Sequence, residues 1–193
     1  MEKLSRSDLY SLEQYVELRE SFRSRVINHK RYRRLAIGPH ASLYFEDRLT
    51  IQYQIQEMLR VERIFEKAGI EQELEAYNPL IPDGRNLKAT FMLEYGDPEE
   101  RREQLALLKR VEDCIWMRIA GHDAVVPFAD EDLERTNDEA TSAVHFLRFE
   151  FTPEMINALR SGRDLSAGID HEFYSFSVEV SEPVGNCLSA DFE

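Results

Sequence analysis

An α+β fold is the class this sequence predicts: N-terminal helices with a small hairpin, then a mostly antiparallel sheet of about five strands with two further helices. Three observations carry the prediction. Apolar residues recur at helical spacing through residues 11–28 and again through 48–68. Between these stretches, and from Leu87 onward, short runs alternate apolar and polar residues. Turn residues such as Gly38-Pro39, Pro82-Asp83-Gly84 and Gly121-His122-Asp123 separate the runs.

The elements follow in order. Ser11 and Gln14 have capping-box spacing, so a helix starts at Ser11 and carries Leu12, Tyr15, Val16, Phe22 and Val26 on an apolar stripe. Leu35 and Ile37, then Leu43 and Phe45, form a hairpin around the Gly38-Pro39 turn. A long helix is expected from Arg48 to Ala68, with Asp47 as N-cap and Gly69 as its stop, and a short helical piece over 71–77. The loop 78–84 divides a helical subregion (about 1–78) from a mainly β subregion (about 86–182) within one domain spanning 1–193. Leu87–Tyr95 reads as a strand. Asp97-Pro98-Glu99-Glu100 opens a helix running to Val111. Cys114–Ile119 and Val125–Phe128 read as a hairpin, Asp130–Glu139 as an acidic solvated loop, and Val144–Phe151 as a strand. Thr152-Pro153-Glu154 starts a helix that ends near Gly162, and Leu165–Ile169 with Phe173–Val180 complete the sheet.

Composition narrows the class of function. The 193 residues are enough to bury one core. No apolar run approaches the roughly 20 residues of a membrane span, and the first residues lack a secretory apolar core, so a cytoplasmic protein without a membrane partner is expected. The two cysteines, Cys114 and Cys187, show no metal-ligand spacing and are expected to be reduced, without an activating partner. The net charge is −13, which disfavours nucleic acid. Residues 19–34 nevertheless carry seven basic side chains against the single acid Glu20, a net +6, which leaves −19 on the rest. That segment either docks onto the chain's own acidic remainder or forms an anion site.

Charges on apolar faces mark the candidate site. With Leu12 set at 0° and about 100° per residue, Arg19 and Arg23 fall near the middle of the first helix's stripe. With Ile51 at 0°, Glu62 falls at about +20° on the second helix, Gln54 at about −60° and Glu57 at about −120°. Buried charges must be paired, so Arg19 and Arg23 are expected to meet Glu62 across an antiparallel helix pair, with Gln54 and Glu57 nearby. Such a seam either fixes helix register or binds a carboxylate, a phosphate or a metal. The candidate ligand-binding set is therefore Arg19, Arg23, His40, Gln54, Glu57 and Glu62, with His40, Glu57 and Glu62 as the metal candidates; no cofactor can be named. His145 shares a strand face with Leu147 and Phe149 and reads as a hydrogen-bonded core histidine. His122 carries no further signal, and Asp170-His171 has the form of an oriented imidazole, which two adjacent residues do not establish. No nucleotide-binding, metalloprotease or nucleophile-elbow motif is present.

The runs His29-Lys-Arg-Tyr-Arg-Arg34, Gly38-Pro-His40, Phe45-Glu-Asp47 and Gln54-Ile-Gln-Glu-Met-Leu-Arg60 with Glu62 resemble a bacterial family of unknown function. So do Phe146-Leu-Arg-Phe-Glu-Phe-Thr-Pro-Glu-Met155 and Gly168-Ile-Asp-His171. Genes of that family often lie beside those for rubrerythrin-like and heterodisulfide-reductase-like iron–sulfur proteins. The resemblance thus implies an accessory role in redox or oxidative-stress metabolism with an iron–sulfur or di-iron partner. It supplies no activity and no catalytic residues, and this chain has no cysteine set to hold a cluster itself. The alternative is an enzyme or small-anion- or metal-binding protein using a polar pocket between the N-terminal helices.

Overall fold

The computed structural model describes residues 1–133, 135–137 and 139–192. Helix α1 (Leu12–Lys30) begins as its sequence dictates. The Ser11 hydroxyl accepts from the Gln14 amide at 3.3 Å, and the Gln14 side chain accepts from the Ser11 amide at 3.2 Å. Strands β1 (Arg34–Ile37) and β2 (Ala41–Phe45) form the expected hairpin. Gly38 turns it at φ +72°, and a side chain there would meet the Phe176 ring and the Tyr174 hydroxyl at 2.7 Å. The hairpin is not a separate unit. Its second strand pairs with β3 (Asn86–Leu93), which makes it the edge of the main sheet.

The long helix expected over 48–68 ends early, as α2 (Arg48–Val61), and the short helical piece expected over 71–77 starts sooner, as α3 (Lys67–Tyr77). The stop precedes Gly69. Arg63 adopts φ +56° and the Ile64 amide reaches back to the Leu59 carbonyl at 2.9 Å, a Schellman-type closure without glycine. Ile64 then packs with Leu59, Ile51 and Ile55 against Leu74 and Ile81 in a small helical core.

Helix α4 (Pro98–Leu107) is capped by Asp97, which accepts from the amides of Glu99 and Glu100. It ends before Val111, where a 3-10 turn (Val111–Cys114) leads into β4 (Ile115–Ile119). The expected β4 hairpin survives only as a bridge between Met117 and Val125. Pro127 has no amide to extend that ladder, and the chain crosses to the other sheet as β5 (Phe128–Ala129). Strand β6 (Val144–Glu150), helix α5 (Pro153–Arg160), strands β7 (Leu165–His171) and β8 (Tyr174–Glu179) and helix α6 (Glu182–Ser189) follow. The sequence reading did not include α6, although Ser181 and Pro183 mark its start.

The fold is α+β, as the sequence implies, with the expected five-stranded antiparallel sheet in the order β1-β2-β3-β6-β5. A second sheet, β4-β7-β8, was not separated from the first in the sequence. The main core fills the space between the sheets, with Leu43, Phe91, Leu147 and Phe149 from one and Ile115, Met117, Ala167 and Ile169 from the other. Tyr174 joins the two: its hydroxyl donates to the Ile37 carbonyl at 2.8 Å and accepts from the His40 amide at 2.9 Å. Among the described residues no helix is long and apolar enough to cross a membrane.

Candidate functional site

The structure brings together only part of the anticipated seam. Glu57 is held by Arg19 through two hydrogen bonds of 2.8 and 3.0 Å, by the Tyr15 hydroxyl at 2.7 Å and by Arg60 at 3.1 Å. Arg23 and Glu62 instead lie exposed. The buried face of α1 is that of Tyr15, Phe22 and Val26, centred near −60° on the scale above, not on Leu12 and Val16. Val16 is 66% exposed, and Arg23 sits about 80° from the true centre. Glu62 is the C-cap of α2, where the chain already turns away. His40 stacks on Tyr95 with ring centroids 4.4 Å apart, and its Nδ1 lies 3.3 Å from the Glu94 carbonyl. Gln54 is half-buried and lines a different cleft.

Hydrogen bonds from Arg19, then from Tyr15 and Arg60, hold the Glu57 carboxyl down at about 2. A depressed carboxylate contributes stability above its unfolded value near 4.5, and that contribution is lost as pH falls towards 2. Glu57→Gln is therefore expected to cost about 1–2 kcal/mol at pH 7, tempered by the partial exposure of Arg19. The difference from the unaltered chain should vanish by about pH 2–3 in denaturant titrations.

The strongest polar constellation lies elsewhere, at the end of the inter-sheet core. The alternation along β6 turns His145, Leu147 and Phe149 inward, and His145 is 0% exposed. The sequence reading of His145 as a core histidine is correct in burial, but its partners come from segments it treated as separate. Nδ1 faces the Asp130 carboxylate at 2.6 Å. Nε2 lies 3.0 Å from both the Thr141 hydroxyl and the Ser142 carbonyl, and 3.8 Å from Glu112 Oε2.

Each neighbour has a structural reason for its position. Glu112 is carried by the 3-10 turn after α4 and is buried; the hydroxyls of Thr136 and, at 3.4 Å, Thr141 donate to it. Asp130 follows β5 at φ +50°. Its amide donates to the Phe146 carbonyl at 2.8 Å, and its Oδ1 accepts from the Phe146 amide at 2.9 Å and from Arg135 at 3.1 Å. Arg110, which starts the 3-10 turn, is left-handed too, at φ +64°. Two of the three non-glycine positive-φ residues among those described thus flank this site, where strain costing about 1–3 kcal/mol each is held in place by the surrounding bonds.

One ligand atom each from Glu112, Asp130 and His145 fall within 4.8 Å of one another. Glu112 and Asp130 also line a cleft of about 680 Å³ shared with Lys109, Arg110, Arg135 and Asn137. With Nδ1–H donated to Asp130, a neutral imidazole would present Nε2 as the lone pair a metal uses, whereas the Ser142 carbonyl at 3.0 Å is an acceptor suited to Nε2–H when no ion is bound. Cys114, at the foot of the 3-10 turn, does not line this cleft. Burial, then Asp113 and Glu112, push its thiol up.

The sequence offered little to find this site. Periodicity located His145, but Glu112 and Asp130 belong to a tight turn and a loop that have no repeating pattern. The only local cue was Asp130 opening a run of acids, which reads equally well as solvated surface.

Comparison with other proteins places the chain in a family. Nothing among curated proteins matches it. It is similar over its whole length to a crystal structure of a novel protein of unknown function from Burkholderia pseudomallei K96243, with 46% identity, 100% of both chains covered and a TM-score of 0.95. A family described as protein of unknown function (DUF3501) matches residues 3–192, and the chain belongs to that family.

Proposed function

We propose that this chain is a metal-binding protein whose centre is His145 Nε2 and Glu112, with Asp130 orienting the imidazole and the cleft admitting a small ligand to the open positions. The observation that carries this reading is the convergence of a fully buried histidine with two carboxylates, Glu112 and Asp130, that line a cleft of about 680 Å³ in front of it. One nitrogen and several oxygen donors, with no thiolate, suit Mn(II), Fe(II) or Zn(II). The redox setting implied by the resemblance favours the first two. Elemental analysis of the purified protein, followed by calorimetric titration with Mn(II) and Fe(II) under anaerobic conditions, is expected to give one ion per chain. Absence of both bound metal and binding heat would overturn the reading.

An accessory role in the cytoplasm beside an iron–sulfur or di-iron protein is a second proposal. It is supported by an apolar strip on edge strand β5 and its flanks, where Val126, Phe128 and Leu133 are 62%, 54% and 65% exposed next to the metal cleft. Affinity capture from a native host should recover an iron-containing protein that Phe128→Glu no longer retains. Recovery unaffected by that change would remove the strip from the argument.

A further inference from the structure

A second cleft, of about 450 Å³, lies between the helices and the outer face of the five-stranded sheet. The register of three adjacent strands builds its floor. Tyr44 pairs with Thr90 and Thr90 with Phe146, so the three stand in one cross-strand row. That row faces away from the core, which takes Leu43, Ala89, Phe91, His145 and Leu147 from the alternate positions. Helix α2 contributes Thr50, Ile51 and Gln54 to the walls, and α3 contributes Tyr77. Apolar and aromatic walls with a few placed polar groups are the usual make-up of a small-molecule site.

The polar group here is Glu46. Its backbone is fixed at both ends: the amide donates to the Lys88 carbonyl at 2.8 Å, and its carbonyl accepts from Arg33 at 3.0 Å. Its side chain is oriented by two hydroxyls, Thr90 donating to Oε1 at 2.8 Å and Thr50 to Oε2 at 2.5 Å. A carboxylate offers about four acceptor positions, so two are left over. No lysine, arginine or histidine among the described residues forms an ion pair with it, although Lys30 lines the same cleft. A half-buried carboxylate positioned by neutral donors, without an ion-pair partner and in a cleft lined by Tyr44, Tyr77 and Phe146, is complementary to a positive charge on an apolar body; Arg34 and Arg135 already lie over the Tyr44 and Phe146 rings, 5.4 and 4.7 Å from their centroids.

We propose that this cleft binds an organic ammonium compound, with the nitrogen donating to Glu46 and the apolar body lying against Tyr44, Tyr77 and Phe146. The site is distinct from the metal centre: the two clefts share no lining residue, and β6 separates them, with His145 on one face and Val144 and Phe146 on the other, though Arg135 of the metal cleft lies over the Phe146 ring. Failure of one reading therefore leaves the other intact.

The test uses the full chain and two probes of equal size, phenethylammonium chloride and neutral 2-phenylethanol, with binding measured by ligand-observed NMR titration. The ammonium is expected to bind at least about tenfold more tightly than the alcohol, and Glu46→Gln to remove that preference. Should Glu46→Gln fail to fold, Met92→Trp fills the cleft from its sheet wall with Glu46 intact and is expected to block the ammonium. Equal binding of the two probes, no binding of either, or a preference that survives Glu46→Gln or Met92→Trp would overturn the proposal.

Discussion

Replacing Arg33 with methionine is expected to destabilise the chain by about 3–5 kcal/mol, because it strands the buried Asp191 carboxylate. Arg33 is 2% exposed, and its guanidinium is fully used. Nε donates to the Phe45 carbonyl at 3.0 Å, Nη2 to the Glu46 carbonyl at 3.0 Å, and both terminal nitrogens reach Asp191. Nη1 also lies 3.4 Å from Asp47, the residue that caps α2 and bonds His29. One side chain thus ties the end of α1 and the start of α2 to the C-terminal segment after α6. Its guanidinium is pushed up by Asp191 and Asp47 despite the burial that opposes it, so it stays charged at every accessible pH. For a chain of this length the cost corresponds to a melting temperature lower by roughly 6–20 °C. The double variant Arg33→Met/Asp191→Leu should recover about half of the loss, since Asp47 keeps His29 and the α2 amides as partners. A loss below about 1 kcal/mol in the single variant would mean that the clasp does not form in solution.

The second large effect concerns the metal centre and separates a ligand from the residue that orients it. His145→Gln is expected to weaken metal binding by about 100-fold or more, and Glu112→Gln to follow it. Asp130→Asn should cost about 10–100-fold, because an amide still holds the imidazole but no longer raises its basicity. Competition with a chelating dye, on variants shown to be folded by circular dichroism, would give the three affinities. The ranking is the prediction. Equal losses at all three positions would make Asp130 a direct ligand.

The elements legible in the sequence were those with a local physical signature. The capping box at Ser11, the Asp97-Pro98 start and the Thr152 cap each satisfy orphan amides at a fixed spacing, and all three appear as expected. The break after Val61 carried no glycine or proline, so the end of the first helix was expected at Ala68 and the start of the next only at residue 71. The seam failed for a geometric reason: choosing Leu12 and Val16 as the centre of the α1 stripe rotated the face enough to bring Arg23 inward. A clearer signal was available at Arg33, which shares its parity with Leu35 and Ile37, both buried in β1. Within the basic run 29–34 that alternation marks the inward arginine. The remainder of the +6 segment divides between surface contacts, such as Arg34 with Glu94 at 2.9 Å, and solvent. Docking of the basic segment onto the acidic remainder thus rests on Arg19, Arg33 and Arg34 rather than on the whole run. Glu112 and Asp130 could not be joined to His145 from sequence, because only the packing of a turn and a loop over the end of β6 brings them together.

Cobalt(II) titration of the purified chain, followed by visible absorption, is the most direct measurement of the central claim, since cobalt reports its own ligand field. One equivalent should saturate a set of d–d bands distinct from those of the aqueous ion, and His145→Gln should abolish them. A spectrum that stays that of free cobalt, or bands unchanged in His145→Gln, would contradict the account. Nε2 would then serve as a proton donor to the Ser142 carbonyl within a purely structural network.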